Sequence, residues 1–135
     1  MIIYLTSRMI PSYIQKMALA IMEFEGYKEG SVSARNNNPG NLRWSNNNIP
    51  WNGATGRDDR NHVIFATFAA GWNALIRQLQ ISFNNQSGIY NDQFTLYQFF
   101  QKYAEENQKP YAEYVARQLG VFPTDTLKYI KENVV

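Results

Sequence analysis

An amphipathic segment near the start of the chain ends in a carboxylate followed by a glycine, Glu25-Gly26. Apolar residues recur upstream at three- and four-residue spacing, which predicts a helix with one buried stripe: Ile10, Ile14, Met17, Ala18, Ile21 and Phe24. With a rotation of about 100° per residue, Glu25 falls roughly 50° from the centre of this stripe and Glu23 roughly 150° from it. The pattern therefore predicts that Glu25 points inward and Glu23 toward water.

A carboxyl group in that position is disfavoured as an anion. The C-terminal end of a helix carries partial negative charge and burial penalises the charged form, so both effects are expected to raise the pKa of Glu25. A carboxylic acid that is still protonated near neutral pH can act as a general acid. The alternative is an ordinary last-turn glutamate that is hydrogen-bonded to a neighbour, and the pattern alone leaves both open.

The chain is polar and irregular from Gly26 to Asp59, where its densest turn signal is Asn38-Pro39-Gly40-Asn41. We expect loops and a short hairpin there. A strand is predicted at His62-Val63-Ile64-Phe65, with residues 41–44 as its partner. This lobe would form the side of a cleft that faces Glu25.

After Gly71 the periodicity is helical to the end of the chain. The predicted helices carry an apolar stripe from Trp72 through Leu75, Ile76 and Leu79 to Phe83, a cap at Thr95 before Phe99, Phe100 and Tyr103, a start at Pro110 and a stop at Gly120 around Tyr111, Val115 and Leu119, and a last start at Pro123 before Leu127 and Ile130. The order of elements predicts a mainly α, α+β fold, with a helical bundle and a small β-hairpin lobe. The length of 135 residues suits one domain, residues 1–135.

Composition narrows the classes of partner. Aromatic residues make up 15% of the chain, more than a small core needs, so we expect some of them to line a groove. With many Asn residues, such a surface suits ligands rich in hydroxyls and amides, such as sugars. The net charge of +2, without a basic stripe, argues against a nucleic-acid partner.

Several other sites and segments are not expected. The chain has no Cys, which excludes disulfides and thiolate metal sites, and a lone His62 does not make a histidine metal site. Arg8 and Pro11 interrupt the apolar start of the chain before a signal-peptide core or a membrane span is complete. We therefore predict no leader and no stable membrane insertion.

A spaced set of motifs resembles the small phage-associated lytic transglycosylases of the lysozyme-like superfamily. The resemblance covers about residues 18–121 and is carried by Glu25-Gly26-Tyr27, by residues 35–43 (RNNNPGNLR), by Phe65-Ala66-Thr67-Phe68 with Gly71-Trp72-Asn73-Ala74-Leu75, and by residues 103–107 (YAEEN) with Tyr111 and Val115-Ala116. Cellular relatives more often have Ser after the glutamate, and Gly26 matches the phage type instead.

The resemblance implies that a single glutamate, Glu25 by position, acts first as general acid and then as general base. In such enzymes the bond between N-acetylmuramic acid and N-acetylglucosamine breaks without water, and the muramic C6 hydroxyl closes a 1,6-anhydro ring. No cofactor is implied. The expected partner is the glycan strand of peptidoglycan. The protein is expected to be a monomer or part of a virion assembly. It would be virion-associated or released to the host periplasm or cell wall by a separate route.

The resemblance also suggests residues that contact the substrate. Asn38, Gly40 and Asn41 would hold N-acetyl groups, or they form a turn that is only structural, and both can be true. Arg43 would steer an anionic peptide or lactyl carboxylate, or it is a solvated charge. Tyr103 and Tyr111 would orient the acid, or they are core residues with a wet hydroxyl.

Two other functions stay open. Asp58 or Asp59 could supply the second carboxylate of a hydrolytic lysozyme, unless the pair is an Asx-type turn before a strand. A peptidoglycan-binding virion module without activity would use the same aromatic groove, but it would leave the burial of Glu25 unexplained.

Overall fold

The computed structural model describes residues 10–44 and 51–135. Contacts divide the chain into two compact units. Residues Ile21–Gln78 form the central unit, and residues 10–20 together with Leu79–Val135 form the terminal unit. The predictions made for residues 1–9, including the absence of a leader, lie outside the described residues.

The described ranges contain six helices and two short strands, so the fold is mainly α with a small β component, as predicted. In chain order the elements are α1 Ser12–Phe24, α2 Val32–Arg35, β1 Ala54–Arg57, β2 Val63–Phe65, α3 Phe68–Phe83, α4 Leu96–Tyr103, α5 Gln108–Leu119 and α6 Leu127–Asn133. Helices α1 and α3 contribute residues to both units.

The sheet of the central unit pairs β1 with β2 in antiparallel register, and a bulge lies between Ala54 and Gly56. The predicted partner of β2, residues 41–44, is present only as an isolated bridge between Arg43 and His62, where the Val63 N–H donates to the Leu42 carbonyl at 2.9 Å. Strand β1 reads Ala-Thr-Gly-Arg, a sequence poor in the β-branched and aromatic residues that make a strand recognisable.

The boundaries of the later helices follow their capping chemistry. Thr95 accepts from the Gln98 N–H while the Gln98 side chain accepts from the Thr95 N–H, which is the predicted cap in its reciprocal form. Helix α5 begins at Gln108, two residues before the predicted start, because Pro110 is tolerated anywhere in a first turn whose N–H groups have no helical partner. Gly120 ends it with a φ of 72°, as predicted.

Aromatic side chains fill the centre of the terminal unit. Phe99 and Phe100 on α4 are fully buried, and the Phe100 ring stacks on Tyr111 of α5 with centroids 4.3 Å apart. Within the described ranges, none of the helices combines the length and the apolar character that crossing a membrane requires.

Candidate active site

Helix α1 ends in a Schellman motif that fixes the backbone around Glu25. The Tyr27 N–H donates to the Met22 carbonyl at 3.3 Å and the Gly26 N–H donates to the Glu23 carbonyl at 3.0 Å. This closure needs a left-handed residue after the cap, and Gly26 supplies it with a φ of 69°. Glu25 is therefore the C-cap residue of α1.

The two glutamates at this helix end differ in exposure in the order that the periodicity predicts. Glu25 is half-buried and Glu23 is exposed. An added Cβ at Gly26 would meet no atom within 4 Å, so open space adjoins the residue that follows Glu25. Glu25 therefore keeps part of its surface in contact with solvent.

The turn from Asn36 to Leu42 is held by asparagine side chains in place of a β-ladder. Asn38 is 0% exposed, its Nδ2 donates to the carbonyls of Leu42 and Val63, and its Oδ1 accepts from the Leu42 N–H, each at 2.9 Å. The Asn37 Nδ2 donates to the Phe65 carbonyl at 3.0 Å. The turn is thereby tied to β2, and the structural alternative raised for Asn38 is observed.

The other predicted turn residues lie next to Asn38 in the chain. Gly40 is buried, and Asn41 is half-buried with a left-handed φ of 50°. Among the described residues, no hydrogen-bond partner meets the buried Oδ1 of Asn41. Arg43 is half-buried at the bridge to His62. The contacts of Gly40, Asn41 and Arg43 with a substrate stay predictions.

Asp58 is enclosed by donors from the same unit. Its Oδ1 accepts from the N–H groups of Arg60 at 2.9 Å and His62 at 2.8 Å, and its Oδ2 accepts from the Asn36 Nδ2 at 2.9 Å and lies 3.2 Å from the His62 Nδ1. Burial alone would raise the pKa of Asp58, but these hydrogen bonds outweigh it and lower the pKa to about 2.

The bonds to Arg60 and His62 are the Asx-type turn that was the alternative to a catalytic role for Asp58. Asp59, the next residue, is exposed. The hydrogen bonds of Asp58 account for its carboxylate without a substrate.

The two tyrosines predicted near the acid belong to the terminal unit. Tyr111 is 2% exposed within the aromatic core, and Tyr103 is half-buried and stacked on Phe99 at 5.3 Å. The core alternative therefore describes Tyr111 better than Tyr103. The reason is that Tyr111 faces Phe100, whereas Tyr103 lies in the last turn of α4.

A feature of the central unit that the sequence did not reveal is an exposed aromatic cluster of Tyr27, Phe68 and Trp72. Helical spacing assigned Trp72 to the core, but its side chain is half-buried, and Phe68 is 41% exposed. The signal was present in the spacing of Phe68 and Trp72, because residues four apart share one helix face.

A groove of about 290 Å³ lies on the terminal unit, lined by Tyr97, Gln101, Gln108 and Lys109. The Tyr97 hydroxyl donates to Glu113 Oε2 at 3.0 Å. Desolvation, and then this hydrogen bond and the Glu113 charge, raise the pKa of Tyr97. None of the predicted site residues lines the groove.

In comparisons with known proteins, no family model, curated protein or solved structure matches the chain. Within the described ranges, no three or more His, Asp or Glu side chains group in a way that could hold a metal ion.

Proposed function

We propose that this chain has a lysozyme-like fold and is a lytic transglycosylase of bacterial peptidoglycan, with Glu25 as its general acid and base. The observation that carries the proposal is the position of Glu25, a half-buried C-cap residue next to the open space at Gly26. The asparagine-rich turn, residues 36–42, is in the same compact unit as Glu25. The motif resemblance supplies the choice of substrate.

The chemistry requires one carboxyl group. Protonated Glu25 gives its proton to the glycosidic oxygen as the bond from that oxygen to the muramic C1 breaks. The Glu25 carboxylate then takes the proton from the muramic C6 hydroxyl, and the oxygen of that hydroxyl bonds to C1. The acid is regenerated, and no water is consumed.

The hydrogen bonds of Asp58 favour this mechanism over hydrolysis. Hydrolytic glycosidases that follow the two-carboxylate scheme need the second carboxylate for attack on C1 or for activation of a water. Asp58 is ionised at neutral pH, but Asn36, Arg60 and His62 engage both of its oxygens. Its role is accounted for by the fold, which favours a mechanism with Glu25 alone.

The test is mass spectrometry of the soluble products released from purified peptidoglycan by the wild type, Glu25→Gln and Glu23→Gln. Glu23 is the matched control, because it is on the same last turn of α1 and is exposed. We expect 1,6-anhydromuropeptides from the wild type and Glu23→Gln, and a loss of at least about 100-fold in Glu25→Gln, the lower range for loss of acid–base catalysis.

The alternatives give different products. Reducing ends that carry an added water would indicate a hydrolase, with Asp58 or Asp59 as the candidate second carboxylate. Retained binding to peptidoglycan with no product from the wild type would indicate an inactive binding module. Equal activity of Glu25→Gln and the wild type would exclude Glu25 as the acid.

A further inference from the structure

The exposed aromatic cluster of the central unit joins two segments of the chain. The Phe68 ring stacks on the Trp72 ring at an interplanar angle of 20°, with centroids 6.2 Å apart. The edge of Tyr27 meets Phe68 at 5.4 Å and 67°. Phe68 and Trp72 come from the first two turns of α3, and Tyr27 follows the end of α1. The cluster is therefore a single patch built from both segments.

Phe68 gives the cluster an exposed face that the buried aromatic core lacks. Phe68 is 41% exposed, whereas Phe83, Phe99 and Phe100 are each 0% exposed. Exposure of apolar surface in a contiguous patch is a common mark of a binding site. The three side chains carry no charge, and the Tyr27 hydroxyl adds a polar group that can donate or accept.

The cluster is also tied to the end of α1 that carries Glu25. The Tyr27 N–H donates to the Met22 carbonyl, so the backbone of Tyr27 is fixed two residues after the acid. Open space adjoins Gly26, the residue between Glu25 and Tyr27. Glu25 and the first residue of the cluster, Tyr27, are therefore held in one capped turn of backbone.

We propose that Tyr27, Phe68 and Trp72 form a stacking platform for a pyranose ring of the glycan strand, an inference that rests on the proposed function. The axial C–H groups of a pyranose give it an apolar face that fits a flat aromatic surface, while its hydroxyls stay in water or bond to groups such as the Tyr27 hydroxyl. Phe68 presents the exposed ring, and Tyr27 and Trp72 hold it in place.

The size of the cluster favours a sugar over a protein. Three rings that are each partly buried offer far less than the roughly 800 Å² per partner of a stable protein interface. The platform instead matches one or two sugar rings. It also lacks charged members, which a partner recognised through phosphates would require.

The experiment measures, by isothermal titration calorimetry, the affinity of Glu25→Gln for a hexamer of N-acetylglucosamine, because this variant is expected to bind without turnover. Phe68→Ala and Phe68→Leu are added in turn to this background. Leu retains apolar volume but has no ring face, so it separates stacking from packing. We expect both to raise the Kd about tenfold, which is the scale of one aromatic contact, and Phe68→Tyr to restore it.

Phe122→Ala is the matched control, because Phe122 is a 74% exposed phenylalanine in the terminal unit. Thermal unfolding of each variant shows whether the fold is retained, and we expect Phe122→Ala to leave the Kd unchanged. A tenfold loss in both Phe68→Ala and Phe68→Leu with unchanged thermal unfolding would support the platform.

Failure of the platform and failure of the proposed function give different results. An unchanged Kd in Phe68→Leu, while the wild type cleaves peptidoglycan, overturns the platform and leaves the enzyme. A Phe68-dependent Kd without any cleavage by the wild type supports the platform and overturns the enzyme. No hexamer binding at all, or a Phe68-dependent self-association in analytical ultracentrifugation in its place, overturns the platform.

Discussion

At the scale of single residues, asparagine side chains in the central unit make hydrogen bonds that backbone groups make in a regular sheet. The Asn38 amide makes three buried hydrogen bonds, to Leu42 and Val63, that a strand would otherwise make through its own N–H and C=O groups. Asn37 and Asn41 take left-handed φ values of 51° and 50°, which asparagine tolerates better than most residues. The abundance of Asn, which suggested sugar binding, therefore has a structural part.

Asp58→Asn should destabilise the fold in a pH-dependent way. The substitution removes the charge and turns an amide N–H₂ toward the Asn36 Nδ2 or the backbone donors, at a cost of about 1–3 kcal/mol for loss of hydrogen bonds to a charged group. The pKa of Asp58 is lowered to about 2, so its stabilising effect is present above its unfolded-state pKa near 4 and is lost as pH falls toward 2. Urea unfolding at pH 7 and at pH 2.5 measures both effects.

Asp59→Asn is the control, since Asp59 is the exposed neighbour in the same turn. It should change the free energy of unfolding by less than about 0.5 kcal/mol at pH 7. A difference between the wild type and Asp58→Asn that is the same size at both pH values would contradict the assignment of the stabilisation to the ionised carboxylate.

At the scale of elements, the helices follow from local chemistry, and the contacts of the central unit do not. Periodicity and capping residues predicted α1, α3 and α4, because the signals that mark a helix lie within its own sequence. Strand β1 was missed because its sequence, Ala-Thr-Gly-Arg, is poor in strand-forming residues and because its pairing with β2 includes a bulge, which has no periodic signal. The order of burial of Glu25 and Glu23 was predictable, but the side-chain hydrogen bonds of the turn at residues 36–42 were not.

Gly71→Ala tests the packing of helix α3 on the asparagine turn. A Cβ at Gly71 would lie 1.8 Å from the Asn37 carbonyl oxygen and 2.9 Å from its carbon, which are backbone atoms that cannot rotate away. We expect a loss of about 1–3 kcal/mol or more in the free energy of unfolding, the range for overpacking, measured by urea unfolding.

The matched control is Gly56→Ala, the same substitution in the same unit. An added Cβ at Gly56 meets nothing within 4 Å, so the change should be small or slightly stabilising because alanine restricts the unfolded chain. Equal effects at Gly71 and Gly56 would show that α3 does not contact the turn so closely.

At the scale of the whole molecule, the two units differ in what stabilises them. Buried apolar side chains dominate the terminal unit, where Phe100 of α4 stacks on Tyr111 of α5 and Phe99 meets Phe100 edge-to-face. The central unit relies more on polar bonds, with Asn36, Asn38 and His62 among its buried residues. The sequence predicted the mainly helical class from periodicity alone, but this difference depends on contacts between residues far apart in the chain.

Hydrogen exchange of backbone amides should reveal the difference as two levels of protection. Burial of aromatic surface resists opening, whereas a two-stranded sheet is marginally stable by itself, so amides of α4 and α5 should exchange more slowly than those of β1 and β2. Gly71→Ala should accelerate exchange in β2 and residues 36–42 more than in α4 and α5, because the added Cβ meets Asn37 and Pro39 of the central unit. Equal protection in both units of the wild type, and equal acceleration in the variant, would mean that the chain opens only as one cooperative block. The asparagine turn, residues 36–42, would then be as resistant to opening as the aromatic core of the terminal unit.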